Sequence, residues 1–209
     1  MNLTVIPLTS EKKDGEFCFF DELRKIIDHS KVVIKEGDVL VISSKFISNS
    51  QGRILKIEKS KVCEKARKIA RKFNTSEKFM EIVFRESDKI LGGVVGFAMA
   101  STNGILAPNA GIDKSNSTGT KVILYPNEPY KFAEELKRKI FLEINLHVGI
   151  IIVDSRLMPA RIGTTGVAIA CAGIEPTKDL RGEKDLDGNP LKVTFQATAD
   201  NLASIANHK

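Results

Sequence analysis

Along the chain, short apolar runs alternate with longer stretches of helical period. Leu3 to Pro7 is a short β-like run, and Phe20 to His29 carries Leu23, Ile26 and Ile27 at helical spacing. Glu36-Gly37-Asp38 predicts a turn. VLVIS, from Val39 to Ser43, is then a continuous apolar run of the kind buried on both faces of a sheet. SKFISNSQGR breaks this regularity, and ILKI (Ile54 to Ile57) predicts another strand. Lys61 to Phe73 places Val62, Ala66, Ile69, Ala70 and Phe73 on one stripe, an amphipathic helix. Thr75 or Ser76 can cap a following helix from Glu77 to Ser87. Asn127 with Pro129 opens the longest helix, in which Phe132, Leu136, Ile140 and Ile144 step by four. HVGIIIVDS (His147 to Ser155) is the clearest buried strand, and VAIACAGI (Val167 to Ile174) is a second. DLRGEKDLDGNPL is rich in turn formers, and a last helix carries Phe195, Ala199, Leu202 and Ala206 on one face. The class is mixed α and β. The loops are too irregular for clean βαβ units, so the pattern does not give a topology.

At 209 residues the chain makes one large domain or two small ones, long enough to bury a core. No apolar run approaches the roughly 18 residues that cross a bilayer. The start, MNLTVIPLTSEKKDGE, lacks the basic and long apolar segments of a signal peptide, so no membrane partner is expected. Cys18, Cys63 and Cys171 are scattered thiols with no CxxC pair, which argues against a disulfide framework and a zinc site and for a reducing cytoplasm. Much of the net charge of +6 sits between Lys56 and Lys78, where Lys59, Lys61, Lys65, Arg67, Lys68, Arg71 and Lys72 cluster. Such a run is more often a solvated helix face than a nucleic-acid footprint, and few aromatics interleave to stack bases. The charge suits an anionic small substrate.

The standard phosphate motifs are missing: no G-x-x-x-x-G-K-[ST], and no G-x-G-x-x-G, since the GGVVG run at Gly92 to Gly96 has the wrong spacing. A G-x-S-x-G elbow is absent as well. His29, His147 and His208 are scattered, and His29 and His147 read as structural. Oxygen ligands remain. Asp154 ends the strand GIIIVD, where a rigid strand fixes a carboxylate beside an open loop, although a turn residue reads the same way. Asp113 lies in NAGIDKSN (Asn109 to Asn116), a polar stretch that either makes a turn or offers metal and phosphate donors. Lys45 follows VLVISS at a strand end, where it is a solvated loop lysine unless phosphate oxygens meet it.

Several ordered strings carry a resemblance across nearly the whole chain. NAGIDKSN, GIIIVDS, RIGTTGVAIACAGI and DLRGEKDLDGNPLKVTFQATAD, preceded in order by PLTS, VISSKFISNSQGRI and FRESDKIL, resemble the coenzyme F420-0:gamma-glutamyl ligase family. The resemblance implies a single α+β domain over residues 1–209, with mixed sheets, flanking helices and an intertwined homodimer. It implies GTP as energy source and two divalent ions, Mg or Mn. The γ-phosphoryl group would pass to the terminal carboxylate of coenzyme F420-0, and the α-amine of L-glutamate would then attack the acyl phosphate. By position in the motifs, Asp113, Asp154 and Ser155 correspond to metal ligands, with Asp113, Asp154 and Lys45 as the catalytic set. Pro7, Leu8, Thr9 and Ser10 correspond to the segment along GTP, Ser43, Ser44 and Lys45 to a second phosphate-side contact, and Asn116 to a nucleotide contact. No protein nucleophile is needed, so the absence of a Cys–His pair is no objection.

Two departures from the family pattern stand out. DSRLMPARIG keeps Pro159, Arg161 and Gly163 but has Leu157 and Met158 where Gly-Arg is expected, which removes a donor for an anionic substrate. Family members also continue past the helix that ends here at NLASIANHK, into a glycine-rich loop with a further acidic ligand; that loop is expected to be missing from this chain. The alternative expectation is therefore a divergent, non-catalytic or nucleotide-binding relative.

Overall fold

The computed structural model describes residues 3–11, 13, 15–114, 121–157 and 162–207. In chain order the elements are α1 (Phe19–Ser30), β1 (Val39–Ser43), α2 (Ser44–Ser50), β2 (Ile54–Lys56), α3 (Glu64–Lys72), α4 (Glu77–Glu86), β3 (Lys89–Val94), β4 (Phe97–Thr102), β5 (Ile105–Pro108) and β6 (Lys121–Ile123). There follow α5 (Pro129–Ile144), β7 (Gly149–Leu157), β8 (Thr164–Ala172), β9 (Lys178–Asp179), β10 (Phe195–Gln196) and α6 (Thr198–Ala206). The class is α+β, with one sheet that mixes a parallel and an antiparallel pairing and the other described pairings antiparallel. The chain divides into two compact units: residues 1–9, 24–43 and 129–209 form one, and 10–23 and 44–128 the other.

The first unit is built on a three-stranded sheet in the order β1-β7-β8, with β1 parallel and β8 antiparallel to the central β7. Ile150, Ile151 and Ile152 in β7 are fully buried because helices cover both faces of the strand. On one face Ile151 and Val153 pack against Ala199 and Ala203 of α6. Each large side chain buried in this way stabilises the fold by about 1.5–3 kcal/mol relative to its exposed state. The expected two-sided burial of Val39–Ser43 does not hold: β1 is an edge strand, with Val39, Leu40 and Val41 half-buried and Ser43 exposed. Beyond β8, the β9–β10 hairpin is nearly all exposed, as its turn-rich sequence suggests.

The second unit holds an antiparallel meander, β3-β4-β5, and a β2–β6 pair. Its core gathers Phe79, Met80, Ile82 and Val83 of α4 with Ala98 and Ala100 of β4, Ala110, Ile112, Val122 and Leu124. The small inward residues of β4 let α4 lie close to the sheet. The Ser76 hydroxyl caps α4 by accepting from the Phe79 N–H at 3.4 Å, as the sequence predicts. The basic run of α3 is a solvated face: Ala66 and Ala70 are buried, while Arg67 meets Glu64 at 2.7 Å and Glu77 at 3.3 Å.

Three expectations are corrected. Leu3 to Pro7 is exposed and joins no strand, because no ladder partner lies beside it among the described residues. SKFISNS is a helix, not an irregular stretch; burial of Ile47, Ser44, Ser48 and Ser50 overrides the weak helix preference of Ser and Asn. Phe195 stands in β10, ahead of the last helix rather than on its face.

Candidate active site

In the second unit Asp113 follows a tightly packed turn. Ahead of it, Asn109, Ala110 and Gly111 take φ values of +51°, +56° and +70°, three left-handed residues in a row. For an alanine that conformation costs about 1–2 kcal/mol, so packing has to hold it. The Asn109 side-chain carbonyl accepts from the Ala98 N–H at 2.9 Å inside the protein, and the Ala110 methyl is buried in the core. Gly111 lies flat against Tyr125, where a Cβ would come within 2.0 Å of ring carbon Cε2. After this turn Asp113 exchanges both backbone hydrogen bonds with Ile123, at 2.9 and 3.0 Å. Its carboxylate forms an ion pair with the ammonium of Lys45, in the first turn of α2, and the two side chains are 30% and 29% exposed. Lys45 is thus a helix residue facing a carboxylate, not a solvated loop lysine. The neighbouring Lys114 is engaged elsewhere: its Nζ lies 3.3 Å from the centre of the Phe79 ring, and burial pushes its pKa below the usual lysine value.

In the first unit Asp154 and Ser155 follow each other on β7, so their side chains leave opposite faces of the sheet. Asp154 shares its face with Arg156, whose Nε lies 3.9 Å from Oδ2. The Ser155 hydroxyl donates instead to Asn207 Oδ1 at 2.9 Å. Ser43, the last residue of β1, pairs in register with Val153, but β7 runs on to Leu157 against β8, so Asp154 lies inside the strand and not at its end as the sequence suggested. Pro7, Leu8, Thr9 and Ser10 run irregularly, with all but Leu8 exposed. Ser44 is buried at the start of α2. Asn116, like Pro159 and Arg161, lies outside the described residues. Structure therefore brings Lys45 to Asp113 and sets Asp154 beside Arg156; the two carboxylates belong to different units.

Sequence reasoning missed Asn109, Tyr125 and Ile123, which hold the Asp113 loop, and Arg156, which shares a strand face with Asp154. The i, i+2 spacing in DSR was the available signal for Arg156. For Asn109 a lone carboxamide before Ala-Gly gave none.

Partly open carboxylates are the donor type that a hard divalent ion takes. Both carboxylates are partly open and face protein cations. Among the described residues no cluster of three or more His, Cys, Asp or Glu forms a closed cage. Mg²⁺ is commonly held in this way, by one or two carboxylates with water and substrate phosphates completing the shell.

Each unit thus sets one partly open carboxylate beside a protein cation, Asp113 with Lys45 and Asp154 with Arg156. Residues 9–209 match the sequence profile of the F420-0:Gamma-glutamyl ligase family, and the chain belongs to that family. It is 36% identical to a coenzyme F420:L-glutamate ligase of Archaeoglobus fulgidus over 187 residues, 90% of this chain and 75% of that protein. A coenzyme F420:L-glutamate ligase of Methanopyrus kandleri is 31% identical over 207 residues, 99% of this chain and 80% of that protein. One from Methanocaldococcus jannaschii is 35% identical over 176 residues, 83% and 70% respectively. No helix among the described residues is long and apolar enough to cross a membrane.

Proposed function

We propose that this chain ligates L-glutamate to coenzyme F420-0, using GTP and a divalent metal, through an acyl phosphate. Family membership along residues 9–209 carries this reading, with relatives of that name aligned over most of their own length. Asp113 and Asp154 are the metal carboxylates; Ser155, next to Asp154 in sequence, leaves the opposite face of β7, so its hydroxyl does not share an ion with Asp154. A divalent ion supplies neutralisation of the two anions that must meet, triphosphate and carboxylate. The ion pair with Asp113 keeps the Lys45 ammonium at hand for phosphate oxygens. Ser43, Ser44, Asn116 and the segment Pro7, Leu8, Thr9 and Ser10 contact the nucleotide. The γ-phosphoryl group passes to the terminal carboxylate of F420-0. The α-amine of L-glutamate then attacks the acyl carbon, loses a proton and expels phosphate. Rate comes from positioning and charge stabilisation. We infer a homodimer from the family likeness and a reducing cytoplasm from the three free thiols.

Phosphate release tests this reading. It should require GTP, Mn²⁺, F420-0 and L-glutamate together and stop when either acceptor or amine is left out. Release indifferent to L-glutamate points instead to a nucleotide-binding relative without ligase activity.

A further inference from the structure

We propose that Asn109 is the positioning residue for Asp113: its side chain locks the left-handed turn that aims the metal carboxylate. This rests on the reading of Asp113 as a metal ligand. Four observations carry it. The turn Asn109–Ala110–Gly111 is left-handed throughout, a conformation that only glycine adopts freely. Asn109 is 8% exposed, and its carbonyl oxygen takes the Ala98 N–H at 2.9 Å, which ties the loop to β4. The Ile112 N–H closes the turn on the Asn109 carbonyl at 3.1 Å. Gly111 abuts Tyr125 and Asp113 is bridged to Ile123 on both backbone groups, so the chain is fixed on each side of the carboxylate.

Asparagine suits this place for two separable reasons. It tolerates the left-handed region better than other side chains, and it offers an acceptor at the right reach. Glycine at 109 would satisfy the first need and not the second. Aspartate would satisfy both. Without the tie to Ala98 the turn can relax, and the Asp113 carboxylate loses its fixed relation to Lys45 while the Ile123 bridge keeps the loop in place.

The test uses the full chain and four proteins: wild type, Asn109→Gly, Asn109→Asp and Asp113→Asn. Mn²⁺ affinity is measured by calorimetry in the presence of GTP, and thermal melting runs alongside. The Mn²⁺ concentration for half-maximal ligation is then compared with the KM for L-glutamate. Asn109→Gly should weaken Mn²⁺ binding tenfold or more at temperatures well below its melting point and raise the Mn²⁺ requirement, with KM for L-glutamate unmoved. Asn109→Asp should restore binding to within about threefold of wild type, because it keeps the acceptor. Mn²⁺ binding lost in Asp113→Asn but unchanged in Asn109→Gly overturns the positioning role alone. Binding unchanged in Asp113→Asn overturns the metal-ligand reading and this proposal with it.

Discussion

The contact between Gly111 and Tyr125 can be weighed by comparing two alanine substitutions that share one backbone cost. Gly111 has φ +70° and Gly104 has φ +74°, so each substitution puts an L side chain in the same left-handed region, at about 1–2 kcal/mol. The surroundings differ completely. A Cβ at Gly104, in the turn between β4 and β5, meets nothing within 4 Å, whereas one at Gly111 lies 2.0 Å from Cε2 and 2.1 Å from Cδ2 of Tyr125. Tyr125 is 2% exposed, so its ring has no room to withdraw. Overpacking of that kind adds about 1–3 kcal/mol. Gly104→Ala should therefore cost about 1–2 kcal/mol and Gly111→Ala about 2–5 kcal/mol, summed from those two penalties. Urea denaturation followed by circular dichroism, with equal slopes required for the comparison, measures both. Equal costs for the two variants would refute the claim that Tyr125 walls the loop carrying Asp113.

Other outcomes follow from the same structure. Asp154→Ala should abolish metal-dependent GTP binding, and Lys45→Met should raise the KM for GTP at least tenfold with the fold intact; unchanged nucleotide titrations in either would remove that residue from the site. Burial pushes the Glu81 carboxyl up, but the Cys63 N–H, which donates at 2.8 Å, and the Arg85 guanidinium, at 2.6 Å, together hold it below the ordinary carboxylate value. A group lowered on folding stabilises above its unfolded pKa, near 4.3, and loses that contribution as pH falls through the folded value. The stability gap between wild type and Glu81→Gln should accordingly be widest at neutral pH and narrow as pH falls through the lowered folded value; a gap that grows on acidification contradicts the sign. Burial, with Glu134 and Glu175 nearby, raises the Cys171 thiol, while Cys18 and Cys63 are exposed. A chromogenic disulfide reagent at neutral pH should label Cys18 and Cys63 quickly and Cys171 slowly, as peptide mapping would show.

Long amphipathic elements were legible in the sequence because their period is set by the core they face. α1, α4 with its Ser76 cap, α5 opening at Pro129 and the apolar β7 all read directly from the chain. The β3–β4–β5 meander was not legible. Gly92 and Gly93 interrupt any alternation in β3, a register shift falls between Ile90 and Gly92, and the inward positions of β4 are small alanines. α2 was hidden for the opposite reason: its serines signal a loop, and only tertiary burial makes them helical. For the site, motif order singled out Asp113, Lys45, Asp154 and Ser155. The ion pair between Lys45 and Asp113, 68 positions apart, joins a helix and a loop that no local pattern connects. The opposite orientations of Asp154 and Ser155 follow from strand geometry once β7 is known to run through both.

The central claim is that this chain forms an amide between L-glutamate and coenzyme F420-0 at the expense of GTP. Mass spectrometry of the deazaflavin product after incubation with GTP, Mn²⁺ and L-glutamate tests it most directly. The account predicts a mass gain of one or more glutamyl units that disappears without GTP and in Asp154→Ala. An unchanged F420-0 mass, beside a related ligase that converts the same substrates, would contradict it.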